Sequence, residues 1–173
     1  MQGDNRTVQM KGEPLTLVGK EINPGDKAPD AHMVNNDLSP VKVSDDAGQP
    51  RLYSIVPSLD TAVCNKQTVT FNKMLADMGA KTKAYAVSAD LPFAQKRFVD
   101  EHNIDKLNIV SDYKDVSFGE NFGVLIKELR LLSRAVVVVD KNDTVKHMEI
   151  VDDIGSEPDY DKALAALKEA MDK

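Results

Sequence analysis

The stretch Tyr53-Ser54-Ile55-Val56-Pro57-Ser58-Leu59-Asp60-Thr61-Ala62-Val63-Cys64 runs from an apolar segment, through a proline-containing one, to the head of a periodic segment. The apolar part predicts a strand over Leu52 to Val56, and Pro57 ends it because proline cannot donate to a sheet ladder. Within residues 61 to 78, Gln67, Phe71, Met74, Leu75 and Met78 fall at i, i+4, i+7, i+8 and i+11, the stripe of a helix with one face on a core. A second strand is predicted over Ala84 to Ser88. Alternation of strand and helix implies an α/β domain whose sheet is at least partly parallel.

Outward from this unit, further strands are predicted at Leu107 to Val110, Ala135 to Asp140 and Val145 to Val151. Asn142-Asp143 between the last two predicts a tight turn and a late antiparallel hairpin. Helices are predicted over Pro92 to His102, Ser117 to Phe122 and Pro158 to Met171. The last has Ser156 as candidate N-cap, Asp159 three residues on, and Tyr160, Ala163, Leu164, Leu167 and Met171 on one side. Residues 7 to 21 alternate apolar and polar on either side of Lys11-Gly12-Glu13-Pro14 and predict an N-terminal hairpin; the proline- and glycine-rich 22–30 stretch is a loop. Without an internal repeat or a linker composition, 1–173 reads as one domain.

The composition narrows the function. The 173 residues carry 42% hydrophobic and 29% charged residues, a net charge of −6 and one cysteine. One cysteine excludes an intrachain disulfide scaffold and Cys-rich zinc sites. The acidic balance disfavours nucleic acid, whose phosphates are bound by clustered Lys and Arg. The longest apolar run, Ala135 to Val139, is five residues, against about 20 for a membrane span. The opening MQGDNRTVQMKG lacks the basic start and apolar stretch of a secretory signal, so the expected location is cytoplasmic.

Cys64 falls in the first turn of the 61–78 helix. There, unpaired N–H groups and the macrodipole favour an anion and draw a thiol pKa below its free value of about 8.5. Thr61 lies one turn earlier, with a hydroxyl that accepts from one partner while donating to another. Residue type and spacing leave two readings of Cys64 open, a reactive nucleophile or a small buried hydrophobe. Arg134, taken alone, reads as a strand-end arginine reaching solvent. His32, His102 and His147 have no ligand-like spacing, and Gly119-x-x-x-Gly123 reads as a turn device around a short helix.

The string PSLDTAVC matches the P-x-x-x-T-x-x-C pattern of peroxiredoxins and resembles their thiol peroxidase branch. Five further segments resemble the same branch in the same order: KGEPLTLVG, QTVTFN, SADLPFAQKRF, LLSRAVVVVD and EPDYDKALAALK. The resemblance implies a thioredoxin-like α/β fold, a mixed central sheet flanked by helices, with an added N-terminal hairpin. It implies that Cys64 attacks the terminal oxygen of a hydroperoxide and becomes a sulfenic acid, that Pro57 shields it from water, that Thr61 holds the peroxide, and that Arg134 stabilises the developing charge. It implies no metal, flavin or haem, a thioredoxin-like or small-thiol reductant, and a homodimer. Phe93 and Phe98 are then core or dimer-contact residues.

The departure from the pattern is Val99, which stands where that branch usually carries a resolving cysteine. Without a second cysteine, oxidised Cys64 passes to an external thiol, to Cys64 of another chain, or onward to overoxidation. A peroxide sensor or relay, handing oxidation to a partner by mixed disulfide, is the alternative this departure raises.

Overall fold

The computed structural model describes residues 6–79 and 82–172; the first five residues, read above for a signal, lie outside them. Strands β1 (Thr7–Met10) and β2 (Glu13–Val18) form the N-terminal hairpin. Its two-residue turn is Lys11-Gly12, both at positive φ, so Glu13 and Pro14 already belong to β2. Then come β3 (His32–Val34), β4 (Pro40–Lys42), a 3₁₀ turn at Val43–Asp46, and β5 (Arg51–Ile55). Next are α1 (Ala62–Met78), β6 (Lys83–Ser88), α2 (Pro92–His102), β7 (Asn108–Ser111) and α3 (Ser117–Asn121). The chain closes with β8 (Leu125–Ile126), β9 (Leu131–Leu132), β10 (Ala135–Val139), β11 (Val145–Ile150) and α4 (Tyr160–Met171).

Seven strands form the central sheet in the order β11-β10-β5-β6-β7-β3-β4, with β5, β6 and β7 mutually parallel and the remaining pairs antiparallel. The sheet is therefore mixed. Every residue of β5 and β10 is buried, as expected of central strands covered on both faces. The strand period of two divides their side chains between two cores. Leu52, Val136 and Val138 pack with Phe71 and Leu75 of α1, Phe98 of α2 and Leu164 and Leu167 of α4. Tyr53, Ile55, Ala135, Val137 and Val139 pack on the opposite face with Phe118 and Phe122.

A second sheet, β1-β2-β8-β9, has its own core of Val8, Leu15, Leu17 and Ile126. Its outer strand is capped by the segment after β11, where Gln9 N–H donates to Asp152 C=O at 2.6 Å and Ile154 N–H to Gln9 C=O at 3.0 Å. Gly123 lies at φ +68°, and a Cβ there would stand 2.3 Å from the Lys20 carbonyl, so close backbone approach requires glycine at this end of the Gly119–Gly123 pair.

The N-terminal hairpin ends at Val18, short of residue 21, and the later predicted elements are present with ends displaced by no more than one residue, except the last helix. It begins at Tyr160 and not at Pro158, and its N-cap is Asp159, whose side chain accepts from Lys162 N–H at 3.0 Å. Ser156 is already used in a turn, donating its N–H to Asp153 C=O at 2.9 Å, so it is not the cap. The short strands β3, β4, β8 and β9 had no counterpart in the sequence reading; at two or three residues they have too little alternation to show a period.

Asp112 ties β7 to α3: its carboxyl oxygens accept from the N–H groups of Phe118 at 2.9 Å and Gly119 at 2.8 Å. Burial pushes its pKa from 3.8 up to about 7, in spite of those two bonds. In that window the unfolded chain has released the proton while the native chain keeps it, so the stability this group contributes is full below pH 3.8 and is lost as the pH rises through 7. Carboxyl ¹³C NMR should show Asp112 titrating near pH 7; a midpoint at the free value would contradict this account of its burial.

Candidate active site

Thr61 is the N-cap of α1, in extended conformation at φ −118°, and the helix's first hydrogen bond runs from Asn65 N–H to Thr61 C=O at 2.9 Å. The N–H groups of Ala62, Val63 and Cys64 precede that bond and have no carbonyl of the helix to donate to. Cys64 is thus the third helical residue, at the positive end of the dipole. It is a free thiol, fully buried.

Arg134 is distant in sequence but adjacent in space. It stands at the head of β10, whose Ala135 pairs with Ile55 at the end of β5, and β5 leads directly into the 56–61 loop. The sheet register therefore places the guanidinium beside the start of α1. Its Nη2 donates to Cys64 Sγ at 3.2 Å, and its Nη1 donates to Gln67 Oε1 at 2.9 Å. Nε and Nη2 both donate to Ile154 C=O, at 2.8 and 2.6 Å. Arg134 is only 2% exposed, so the reading of a solvent-reaching strand-end arginine is incorrect.

Gln67 is the residue whose role the sequence reading missed, although it was placed on the core face of α1. It is fully buried, and its Nε2 donates to Ser54 Oγ at 2.8 Å while its Oε1 takes Arg134. An amide within an otherwise apolar stripe is itself the signal, since a buried amide needs partners for both ends. The Ile154 carbonyl left no trace in residue types because it is backbone.

A partly exposed cluster flanks the guanidinium. Lys66 Nζ pairs with Glu157 at 3.1 Å, and Tyr160 donates its hydroxyl to Glu157 at 2.7 Å. The Tyr160 hydroxyl first, then Lys66, holds the Glu157 carboxyl below its usual range.

Pro57 is buried at the start of the loop. The Thr61 hydroxyl donates to Ser58 C=O at 2.9 Å, and not to the sulfur one turn on. Val99 is half-buried on α2, packed against the core cluster that contains Cys64. Phe98 belongs to that core, whereas Phe93 is 67% exposed. Among the described residues no group of three or more His, Cys, Asp or Glu is placed to hold a metal ion. His32 pairs with Asp115 at 2.5 Å on the surface, and His102 stacks on Phe98 with ring centroids 4.2 Å apart.

What this arrangement offers chemically is a buried sulfur with a fixed, buried cation at hydrogen-bond distance, in a helix turn whose first backbone N–H groups have no carbonyl of the helix to bond. Charge on sulfur, or on an oxygen leaving it, is stabilised with little reorganisation.

The model of the Redoxin family matches residues 23–164, and the chain belongs to that family. A thiol peroxidase of Halalkalibacterium halodurans is 46% identical over 165 residues, covering 95% of this chain and 99% of its own. One from Bacillus subtilis is 45% identical over 161 residues, covering 93% and 96%. Among solved structures, a peroxiredoxin-like protein from Aquifex aeolicus superposes with a TM-score of 0.89 at 41% identity, covering 95% of this chain and 97% of its own. The fold is thioredoxin-like, a mixed sheet flanked by helices.

Replacing Arg134 by Met removes the cation and should slow the reaction of Cys64 with hydrogen peroxide by about 10²-fold or more in stopped-flow. Gln67→Ala leaves Arg134 Nη1 and Ser54 without their partner, and should cost roughly 1–3 kcal/mol in urea unfolding as well as part of that rate.

Proposed function

We propose that this chain is a thiol peroxidase working through one cysteine. The observation that carries the reading is the buried Arg134 guanidinium 3.2 Å from the sulfur of Cys64 in the first turn of α1. Cys64, as thiolate, attacks the terminal oxygen of hydrogen peroxide or an organic hydroperoxide. The S–O bond forms as the O–O bond breaks, and the departing oxygen takes a proton to leave as water or an alcohol, with a sulfenic acid on Cys64.

Arg134 and the N–H groups of the first turn stabilise the charge passing from sulfur to the leaving oxygen. Because the Thr61 hydroxyl proton is committed to Ser58 C=O, its oxygen lone pairs are left to accept the peroxide's O–H and fix its orientation. Pro57, buried at the loop's start, keeps water from the sulfur. The curated relatives are named thiol peroxidases, which supports the same chemistry.

With Cys64 as its only cysteine, the chain requires an external thiol. That thiol attacks the sulfenic sulfur, expels water and leaves a mixed disulfide; a second thiol then releases Cys64 reduced. A thioredoxin-like protein or a small thiol fills this role, and a lone reduced thiol suits a cytoplasmic setting. Leu91 and Phe93, 54% and 67% exposed at the start of α2, support a homodimer in which a second copy covers them. Phe93→Glu should then shift sedimentation toward the monomer; an unchanged dimer would place the contact elsewhere.

Turnover decides between peroxidase and relay. Sustained peroxide consumption with dithiothreitol or a thioredoxin as donor is expected; one equivalent consumed per chain, then transfer to a partner protein, would favour the relay. Val99→Cys should gain an intramolecular disulfide with Cys64 after one equivalent of peroxide, read by mass spectrometry under non-reducing conditions. Its absence would show that α2 does not present this position to the sulfur.

A further inference from the structure

The loop that precedes Cys64 is held at Ser58 and Leu59 by a residue outside it. Asp90, between β6 and α2, accepts from Ser58 Oγ at 2.6 Å on Oδ1, and from Leu59 N–H at 2.7 Å and Ser88 Oγ at 2.7 Å on Oδ2. Asp90 is itself fixed: its carbonyl accepts from Ser111 Oγ at 2.5 Å, and Ser88 Oγ takes a further bond from the fully buried Gln95 of α2 at 3.0 Å. Gln95 in turn reaches Val110 C=O at 2.9 Å, so this scaffold spans β6, β7 and α2. Beside it, a cleft of about 140 Å³ lined by Asp60, Ala94 and Arg97 separates the loop from α2. Polar bonds therefore hold that side of the loop in place.

Ser58 is the residue whose carbonyl receives the Thr61 hydroxyl. Fixing Ser58 at its side chain and Leu59 at its N–H fixes the direction of that carbonyl, and through it which lone pairs Thr61 turns toward the sulfur side. We propose that Asp90 is a positioning residue for the peroxide reaction: through Ser58 and Leu59 it holds the 57–61 loop and the Thr61 hydroxyl in the arrangement that orients the peroxide. This rests on the reading of Cys64 as the peroxide-attacking thiol. Misplacement of an orienting group by about 1 Å is enough to cost on the order of 10²-fold in rate, so a partly loosened loop should be visible in kinetics.

Two reactions of the same sulfur separate positioning from general loosening. Cys64 is fully buried, so a freer loop admits iodoacetamide more readily, while peroxide reduction loses its oriented partner. Asp90→Ala should therefore slow oxidation by hydrogen peroxide by about 10-fold or more and at the same time speed alkylation. Ser58→Ala removes one of the three bonds without emptying the scaffold and should move both rates the same way by a smaller factor. Asp90→Asn keeps an acceptor for Leu59 N–H and a donor that Ser58 Oγ can accept, and should recover most of the peroxide rate. If the parent reacts rapidly with peroxide and Ser58→Ala and Asp90→Asn both match it, or if both rates fall together in Ser58→Ala, Asp90 has no positioning role. A parent inert to peroxide would instead sink the reading of Cys64 itself.

Discussion

An arginine side chain nearly removed from solvent and placed against a thiol sets the terms for the rest of this structure. Desolvating a guanidinium costs several kcal/mol unless its donors are met, so the surroundings must supply acceptors in a fixed plane. Three acceptors come from two elements: Sγ of Cys64 and Oε1 of Gln67 from α1, and the Ile154 carbonyl from the segment after β11. Gln67 must be buried, Ser54 must be small and polar to receive its other end, and the 152–154 segment must not drift. The last condition is met by the N-terminal hairpin, whose Gln9 bonds both Asp152 and Ile154 through its backbone. The hairpin thus reaches the sulfur in three links: Gln9 to Ile154, Ile154 to Arg134, Arg134 to Cys64.

The other half of the site is a product of helix geometry. A helix leaves its first N–H groups unpaired, and here the chain turns through residues 58–61 after β5 before Thr61, in extended conformation, caps α1. The antiparallel pairing of β10 with β5 then makes the head of one strand adjacent to the tail of the other. Helix start, strand end and arginine converge because register allows no alternative: a slip by one residue turns Arg134 to the opposite face of the sheet.

These constraints explain what was legible from residues alone. Long periodic elements were: α2 falls at Pro92–His102 as predicted, and the stripe over 61–78 is α1 with Thr61 as its cap. The position of Cys64 in a helix's first turn could be read from Pro57 and the stripe together. The burial of Arg134 could not be, because a charged residue before an apolar run has the same local pattern whether it faces solvent or a thiol; only pairing of distant strands decides it. Gln67 was half legible, placed on the correct face but without its partners. Ser156 misled because a cap signature ignores a turn that uses the same backbone, here the one Asp153 closes with Gly155 and Ser156. Strands as short as β8 and β9 carry no periodic signal and exist through their neighbours.

The single cysteine, set in a sealed site, places opposing demands on one loop. Oxidation is favoured by rigidity, since an oriented peroxide meets a fixed cation and fixed donors. Resolution by an external thiol is favoured by the reverse, because a sulfenic acid that is fully covered must be uncovered before a second sulfur can approach in line with the S–O bond. An internal resolving residue would need only the local unwinding that brings its own helix to Cys64. In this chain Val99 is a half-buried packing residue on α2 and carries no thiol. The cover that keeps the sulfur from water also stands in the way of an arriving thiol. On the proposed reading, the firmness of the loop, and not the sulfur alone, weighs turnover against a longer-lived sulfenic acid.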